Sequence, residues 1–233
     1  MKDNRRKGNR KRDEKYDIGY FEKIFCNREP VVSDMRGRFS VLALFFFPRG
    51  EGEEGAWKEE AVSEKTAAKE LNQEAALMGV RKEMEEGRLL FEVRSENLRH
   101  QPGEICLPGG HLEEGESPGT CALREASEEL LIPEEKIRML GPLGYDYTYY
   151  GELIHSYVGI ADVEDLLTGG VYTAEVKEVF AVPFSFFMER GPQEYYDYGK
   201  YHIWGLTARV VRRLVRVCRG EESPAGTDWG SGW

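Results

Sequence analysis

Six residues between Gly110 and Glu129 constrain this chain more than any other stretch. The run Gly109-Gly110-His111-Leu112-Glu113-Glu114-Gly115-Glu116 leads through Ser117 and Pro118 to Arg124-Glu125-Ala126-Ser127-Glu128-Glu129. Ser117 and Pro118 suit an N-cap and a first-turn proline, so a helix is expected over about 118–130. On such a helix residues 125, 128 and 129 share one face, with Cβ atoms roughly 5–6 Å apart. Three like charges that close repel one another, and a helix made only to pack would avoid them. A hard cation reverses that penalty, because magnesium and manganese favour carboxylate and water oxygens. The opposite face, with Ala122, Leu123, Ala126 and Leu130, is small and apolar and fits against a sheet. Arg124 cannot ligate a metal, but it is placed to hold Glu116, eight residues earlier, in a bidentate pair. A solvated Glu-rich helix is the bland alternative. The glycines and Glu116 at fixed distances upstream argue against it.

Gly110, five residues, Glu116, seven residues and then Arg124-Glu125-Ala126-Ser127-Glu128-Glu129 resemble the box of the Nudix hydrolases. That family cleaves a nucleoside diphosphate linked to some other moiety. Two positions depart from the pattern: Leu131 stands where glycine is usual, and Ala126 is a small version of the expected aliphatic residue. Glycine at 131 would supply a left-handed cap, so the departure bears on how the helix ends. Neither change removes a carboxylate. The resemblance implies an α/β/α sandwich with a mixed β-sheet and a loop–helix–loop catalytic box. It further implies Mg2+ or Mn2+ held by Glu125, Glu128 and Glu129, with catalytic roles for Glu116, Arg124, Glu128 and Glu129.

A second motif lies upstream. Arg94-Ser95, Leu98-Arg99, Gly103-Glu104 and Pro108-Gly109-Gly110 are similar to the element that coenzyme A pyrophosphatases of the family carry before the box. Gln101 and Leu107 replace the usual histidine and phenylalanine, and His100 is one residue out of register. The implied substrate is coenzyme A or a derivative, cut to 4′-phosphopantetheine and adenosine 3′,5′-bisphosphate. Physical chemistry agrees in outline. Arg94 and Arg99 offer forked donors for phosphate, and Gly103, Gly109 and Gly110 let backbone approach a ligand. Glu104 completes the expected substrate-binding set. Each arginine also fits a surface salt bridge, and Glu104 an exposed turn. ADP-ribose, NADH or a dinucleoside polyphosphate is the alternative substrate, and a non-catalytic nucleotide-sensing module the alternative from another class. Glu175 and Glu178 are candidates for one further carboxylate.

Charge is uneven. Residues 1–15 hold eight Lys or Arg against three acids, a surplus of +5, so the −10 of the whole chain becomes −15 over the rest. An acidic body argues against broad nucleic-acid binding, although the basic tail could touch RNA or an anionic surface; the partner that the resemblance implies is a small-molecule nucleotide diphosphate. Residues 1–15 read as a basic, disordered tail, 16–220 as a single domain with a charged insertion at about 50–74, and 221–233 as a flexible end. No stretch of 18 apolar residues suggests a membrane span. With four scattered cysteines and no signal peptide, the chain reads as cytoplasmic, its thiols reduced. A homodimer is compatible with the resemblance, though no residue marks an interface. Strands are expected at 39–47, 75–80, 88–94, 138–147, 153–162 and 176–183, with Gly87 closing a hairpin between 75–80 and 88–94. A helix is expected over Thr207 to Val217, with Ala208, Val211, Leu214 and Val215 on one face and Arg209, Arg212, Arg213 and Arg216 on another.

Overall fold

The computed structural model describes residues 16–26, 39–47, 87–148, 150–162 and 173–222. The expected basic tail, the charged insertion, the 75–80 strand with its hairpin, and residues 223–233 lie outside the described residues.

Strand β1 (Phe39–Phe46) shows how the layers arise. Side chains alternate across a strand, and here both faces are apolar. Leu42, Leu44 and Phe46 pack with Ala122, Ala126 and Leu130 of helix α2 (Pro118–Leu130). Ala43 and Phe45 point the other way, toward Phe21 and Phe25 of α1 (Ile18–Phe25), Phe184 and Phe187 of α3 (Phe184–Arg190), and the apolar stripe of α4 (Gly205–Cys218). A sheet buried on both faces between helices is the α/β sandwich that the order of elements suggested. Fully burying one phenylalanine such as Phe45 is worth about 1.5–3 kcal/mol.

Around β1 the sheet is mixed. β6 (Leu153–Ala161) runs parallel to it over eight residue pairs, and β5 (Ile137–Tyr147) pairs antiparallel with β6. The other edge of β1 is shared. β2 (Arg88–Arg94) pairs with Phe45 and Phe46, while β4 (Gly109–His111) pairs with Phe39, Ser40 and Val41. β3 (Ile105–Cys106) and β7 (Val176–Pro183) pair with β2. A small hairpin, β8 (Tyr196–Tyr198) with β9 (Tyr201–Ile203), precedes α4. The expected strands that fall on described residues form within a residue of their anticipated bounds. The helices α1 and α3 and the β8–β9 hairpin were not anticipated.

Helix α4 buries one residue of its arginine row. Arg213 does not face solvent: it is 4% exposed, packed against Gly144 of β5, with its Nε 3.6 Å from Glu222. Asp146, also buried on β5, supplies the opposing charge and is itself 3.6 Å from Nε of Arg209. A nearby carboxylate lets the long arginine stem lie in the interface without an uncompensated charge.

Candidate active site

Helix α2 begins as its sequence demands. Ser117 sits in extended backbone and its Oγ accepts the Thr120 N–H at 3.1 Å, with Pro118 next in line. The far end answers the question posed by Leu131. With φ 55° and ψ 37°, this leucine takes the left-handed conformation usually reserved for glycine, and its N–H bonds the Ser127 carbonyl. The geometry of the cap is kept while a branched side chain carries the strain.

One arginine organises the acids of the box. Arg124 grips Glu116 with both branches of its fork, Nε to Oε1 at 2.9 Å and Nη2 to Oε2 at 3.1 Å. The same Nη2 also reaches Glu125 Oε1 at 3.0 Å and the His111 carbonyl at 3.1 Å, and Nη1 reaches Glu128 Oε2 at 3.2 Å. Glu116 in turn accepts the Glu113 N–H at 2.9 Å, closing its own loop. The bidentate pair holds the Glu116 carboxyl below its usual range, with Arg124 as the leading cause. The anticipated Arg124–Glu116 pair is therefore present, and Glu125 and Glu128 join it.

Glu129 points the other way, into the sheet. It is 7% exposed and accepts the Gly109 N–H at 2.8 Å. The two glycines of β4 are required by contact. A Cβ on Gly110 would overlap the Glu125 carboxylate, and one on Gly109 would fall on the Ser40 carbonyl of β1. Burial pushes the Glu129 carboxyl up to about 7, against the Gly109 hydrogen bond that lowers it. Burial raises Glu125 as well.

Sequence reasoning missed Glu92. It lies on β2, is 1% exposed, and its carboxyl comes within hydrogen-bonding reach of Glu129. Burial first, and then the negative field of Glu129, drive it well above the usual carboxylate range. The signal was in the alternation of β2. Leu89, Phe91 and Val93 belong to one core, so Leu90, Glu92 and Arg94 face helix α2. Arg94 accordingly lies in this cluster, where its charge partly offsets Glu92 and Glu129, while its buried Nε has no hydrogen-bond partner. The pairing of β2 with β7 is irregular at Val93/Arg94, the kind of bulge that re-aims side chains beside a site.

The other expected residues divide. Gly103 and Glu104 act through backbone: the Gly103 N–H bonds the Arg94 carbonyl at 3.1 Å and the Arg94 N–H bonds the Glu104 carbonyl at 2.9 Å. They clamp the loop that returns from Arg94 toward β4. Arg99 is exposed on that loop and forms no ion pair among the described residues. Of the two candidates for an extra carboxylate, Glu175 adds to the field on Glu129, and its carbonyl accepts the Ser95 N–H at 2.7 Å. Glu178 is turned to Lys200 and Tyr201, which hold its carboxyl below the usual range.

The donor set suits a hard divalent cation. Glu125, Glu128 and Glu129 offer only oxygen, and burial together with their crowding raises Glu125 and Glu129, a cost that positive charge would remove. Among the described residues no three His, Cys, Asp or Glu side chains converge on one point, since Arg124 engages Glu125 and Glu128. Magnesium is commonly held by one or two carboxylates, waters and substrate phosphates, so convergence of three is not required. The four cysteines are free, and burial pushes Cys121 up to about 12 and Cys106 higher still, leaving neutral thiols.

A mixed sheet between helices, with a loop–helix–loop that gathers carboxylates around one arginine, is the Nudix architecture. The family description "NUDIX domain" matches residues 74–196, more than half of the chain, and the chain belongs to the Nudix family. An uncharacterized Nudix hydrolase NudL from Photorhabdus laumondii is 34% identical over 143 residues, which cover 55% of this chain and 75% of that protein. The peroxisomal coenzyme A diphosphatase NUDT7 of Mus musculus is 36% identical over 111 residues, 47% of this chain and 45% of that protein, so this chain spans under half of its length. Among solved structures, the Nudix hydrolase RenU from M. smegmatis aligns with a TM-score of 0.46 and 18% identity, covering 79% of this chain and 87% of that one. The chain is thus a Nudix pyrophosphohydrolase, and enzymes of this family need divalent metal ions. No helix among the described residues is long and apolar enough to cross a membrane.

Proposed function

We propose that the protein hydrolyses the pyrophosphate bond of coenzyme A or a derivative, releasing 4′-phosphopantetheine and adenosine 3′,5′-bisphosphate. One observation carries the reading: the loop clamped by Gly103 and Glu104 joins Arg94, beside Glu129, to Gly109 and Gly110 of β4, against Glu125. This adjacency of the upstream element and the box supports reading them as one site. The resemblance of both stretches to coenzyme A pyrophosphatases supports the substrate.

Mg2+ or Mn2+ held by Glu125, Glu128 and Glu129 would neutralise the pyrophosphate oxygens and lower the pKa of a water. The chain's own residues supply the rest. Arg124 orients Glu116, Glu125 and Glu128 as a unit, so the carboxylates are arranged before substrate arrives. Glu128, with a side chain 62% exposed, is the acid most open to an attacking water and accepts its proton. Glu129, buried and tied to Gly109, holds rather than transfers. Arg94 and Arg99 bind phosphate oxygens, the exposed Arg99 being free to meet the ribose 3′-phosphate.

The alternative substrates, ADP-ribose, NADH or a dinucleoside polyphosphate, draw on Gln101 and Leu107. Leu107 is 3% exposed and part of the core, so its departure is a matter of packing rather than of substrate contact. Gln101, with a φ of 52° in the loop, remains the feature favouring them. Product analysis by mass spectrometry on an equimolar mixture of these compounds with Mg2+ separates the readings. Adenosine 3′,5′-bisphosphate should appear first, whereas faster loss of ADP-ribose or NADH would reject coenzyme A. Glu129→Gln should lower turnover about 100-fold or more, the scale of several kcal/mol of charge stabilisation. Near-wild-type turnover in that variant would refute the ligand assignment.

A further inference from the structure

We infer that Glu92, a residue of β2 outside the box, is an additional carboxylate ligand of the divalent cation, shared with Glu129. The inference rests on the reading of the box carboxylates as metal ligands and extends it to a residue that neither motif contains.

Glu92 has no structural reason to be charged. It sits in the middle of β2, opposite Cys106 on β3 and Val179 on β7, on a sheet face whose other members, Arg94 apart, are apolar, among them Leu42, Leu44, Phe46 and Leu90. Any of those residues would pack there without cost. Instead a carboxyl is buried to 1% exposure with its Oε1 lacking any hydrogen-bond partner. An unsatisfied buried oxygen is costly, and such departures from local consistency collect at functional sites. Arg94 offsets the charge of Glu92 only in part and leaves its Oε1 without a partner, as the Arg94 Nε is left too.

The surroundings specify the ligand. The Glu92 and Glu129 carboxyls lie within hydrogen-bonding reach of each other, and Glu125 adds its field. Two carboxyls that close are stable only with a positive charge between them, a proton or a cation. A hard divalent ion taking one or two carboxylates and completing its shell with water and phosphate matches this pair. Glu129 already has one oxygen on the Gly109 N–H, which fixes the carboxyl in place.

Mn2+ binding to the purified full chain without substrate, followed by calorimetry, tests the assignment in the wild type, Glu92→Gln and Glu129→Gln. Loss of a ligand should raise the Mn2+ Kd of Glu92→Gln by about 10- to 100-fold. The same variant, freed of one buried acid, should melt at or above the wild-type temperature without metal and gain less from added Mn2+. A merely structural Glu92 would lower the metal-free melting temperature and leave the Kd alone. Glu92→Asp, which keeps the charge but withdraws it by one methylene, should also bind Mn2+ more weakly and serves if Glu92→Gln does not fold. An unchanged Kd in Glu92→Gln beside a weakened Glu129→Gln overturns the Glu92 assignment alone. Unchanged affinity in both variants overturns the carboxylate reading and this inference together.

Discussion

Replacing Arg124 should destabilise the whole protein, because its guanidinium is the hub of the box. Its bonds are unequal. The Glu128 contact is worth little, since that carboxylate is 62% exposed. The Glu116 pair is different: the arginine side chain is 19% exposed and the glutamate 9%, and the geometry is bidentate. Hydrogen bonds to charged groups contribute about 1.5–3 kcal/mol each, and breaking a buried pair costs about 3–5 kcal/mol. Residual solvent contact reduces the latter, so Arg124→Ala should lose about 3 kcal/mol. It also leaves Glu125, Glu128 and Glu129 to repel one another in the second half of α2, where the helix dipole disfavours negative charge, and strips Glu116 of its partner. At about 2–4 °C per kcal/mol for a domain of this size, the melting temperature should fall by roughly 6–12 °C. Arg124→Lys keeps the charge but loses the fork, and should recover no more than about half of the loss. Urea denaturation monitored by circular dichroism gives both values. A loss below about 1 kcal/mol for alanine, or a lysine variant equal to wild type, would refute the hub argument.

Other outcomes follow from the same geometry. Leu131→Gly should stabilise the protein by about 1 kcal/mol, because glycine takes the left-handed cap without strain and the leucine side chain is 56% exposed, so a lower melting temperature would count against a strained cap. Burial holds the His155 pKa below its usual value; the folded state thus favours the neutral ring, and its contribution, full above the unfolded pKa, is lost as pH falls below it. The stability advantage of wild type over His155→Gln should therefore shrink between about pH 7.5 and 5.5 in urea titrations, and a constant difference would contradict that sign. If Arg99 meets the 3′-phosphate, Arg99→Ala should raise KM about tenfold for coenzyme A and much less for dephospho-coenzyme A, whereas equal effects on both would reject the contact.

Helix α2 was legible because everything that defines it is local. Ser117, Pro118, the Glu116–Arg124 spacing and the face shared by Glu125, Glu128 and Glu129 all lie within one or two helical turns of a neighbour. The strands at 39–46, 88–94, 137–147, 153–161 and 176–183 were legible for the same reason, as apolar runs of strand length. Residues whose roles depend on packing between distant segments were not. Arg213 read as one of a row of arginines, and nothing near it in sequence marked it for burial beside Asp146 of β5, 67 residues earlier in the chain. Helix α3 packs through Phe184 against Phe45 and Phe187 against Phe91, and the β8–β9 hairpin through Tyr201 stacked on Phe180, contacts that no short window contains.

Glu92 is the instructive case, since half of its signal was local. Alternation along β2 assigns Leu89, Phe91 and Val93 to one face and Leu90, Glu92 and Arg94 to the other, which marks a strand that turns polar toward its end. What alternation could not supply was the partner. Glu129 lies 37 residues downstream and meets Glu92 only because β4 pairs with β1 and draws the start of α2 across the sheet. A motif built from one helix lists the acids that neighbour each other in sequence. The sheet beneath that helix adds acids that neighbour them in space, and a buried, unpartnered oxygen on the facing strand is the physical mark by which to find them.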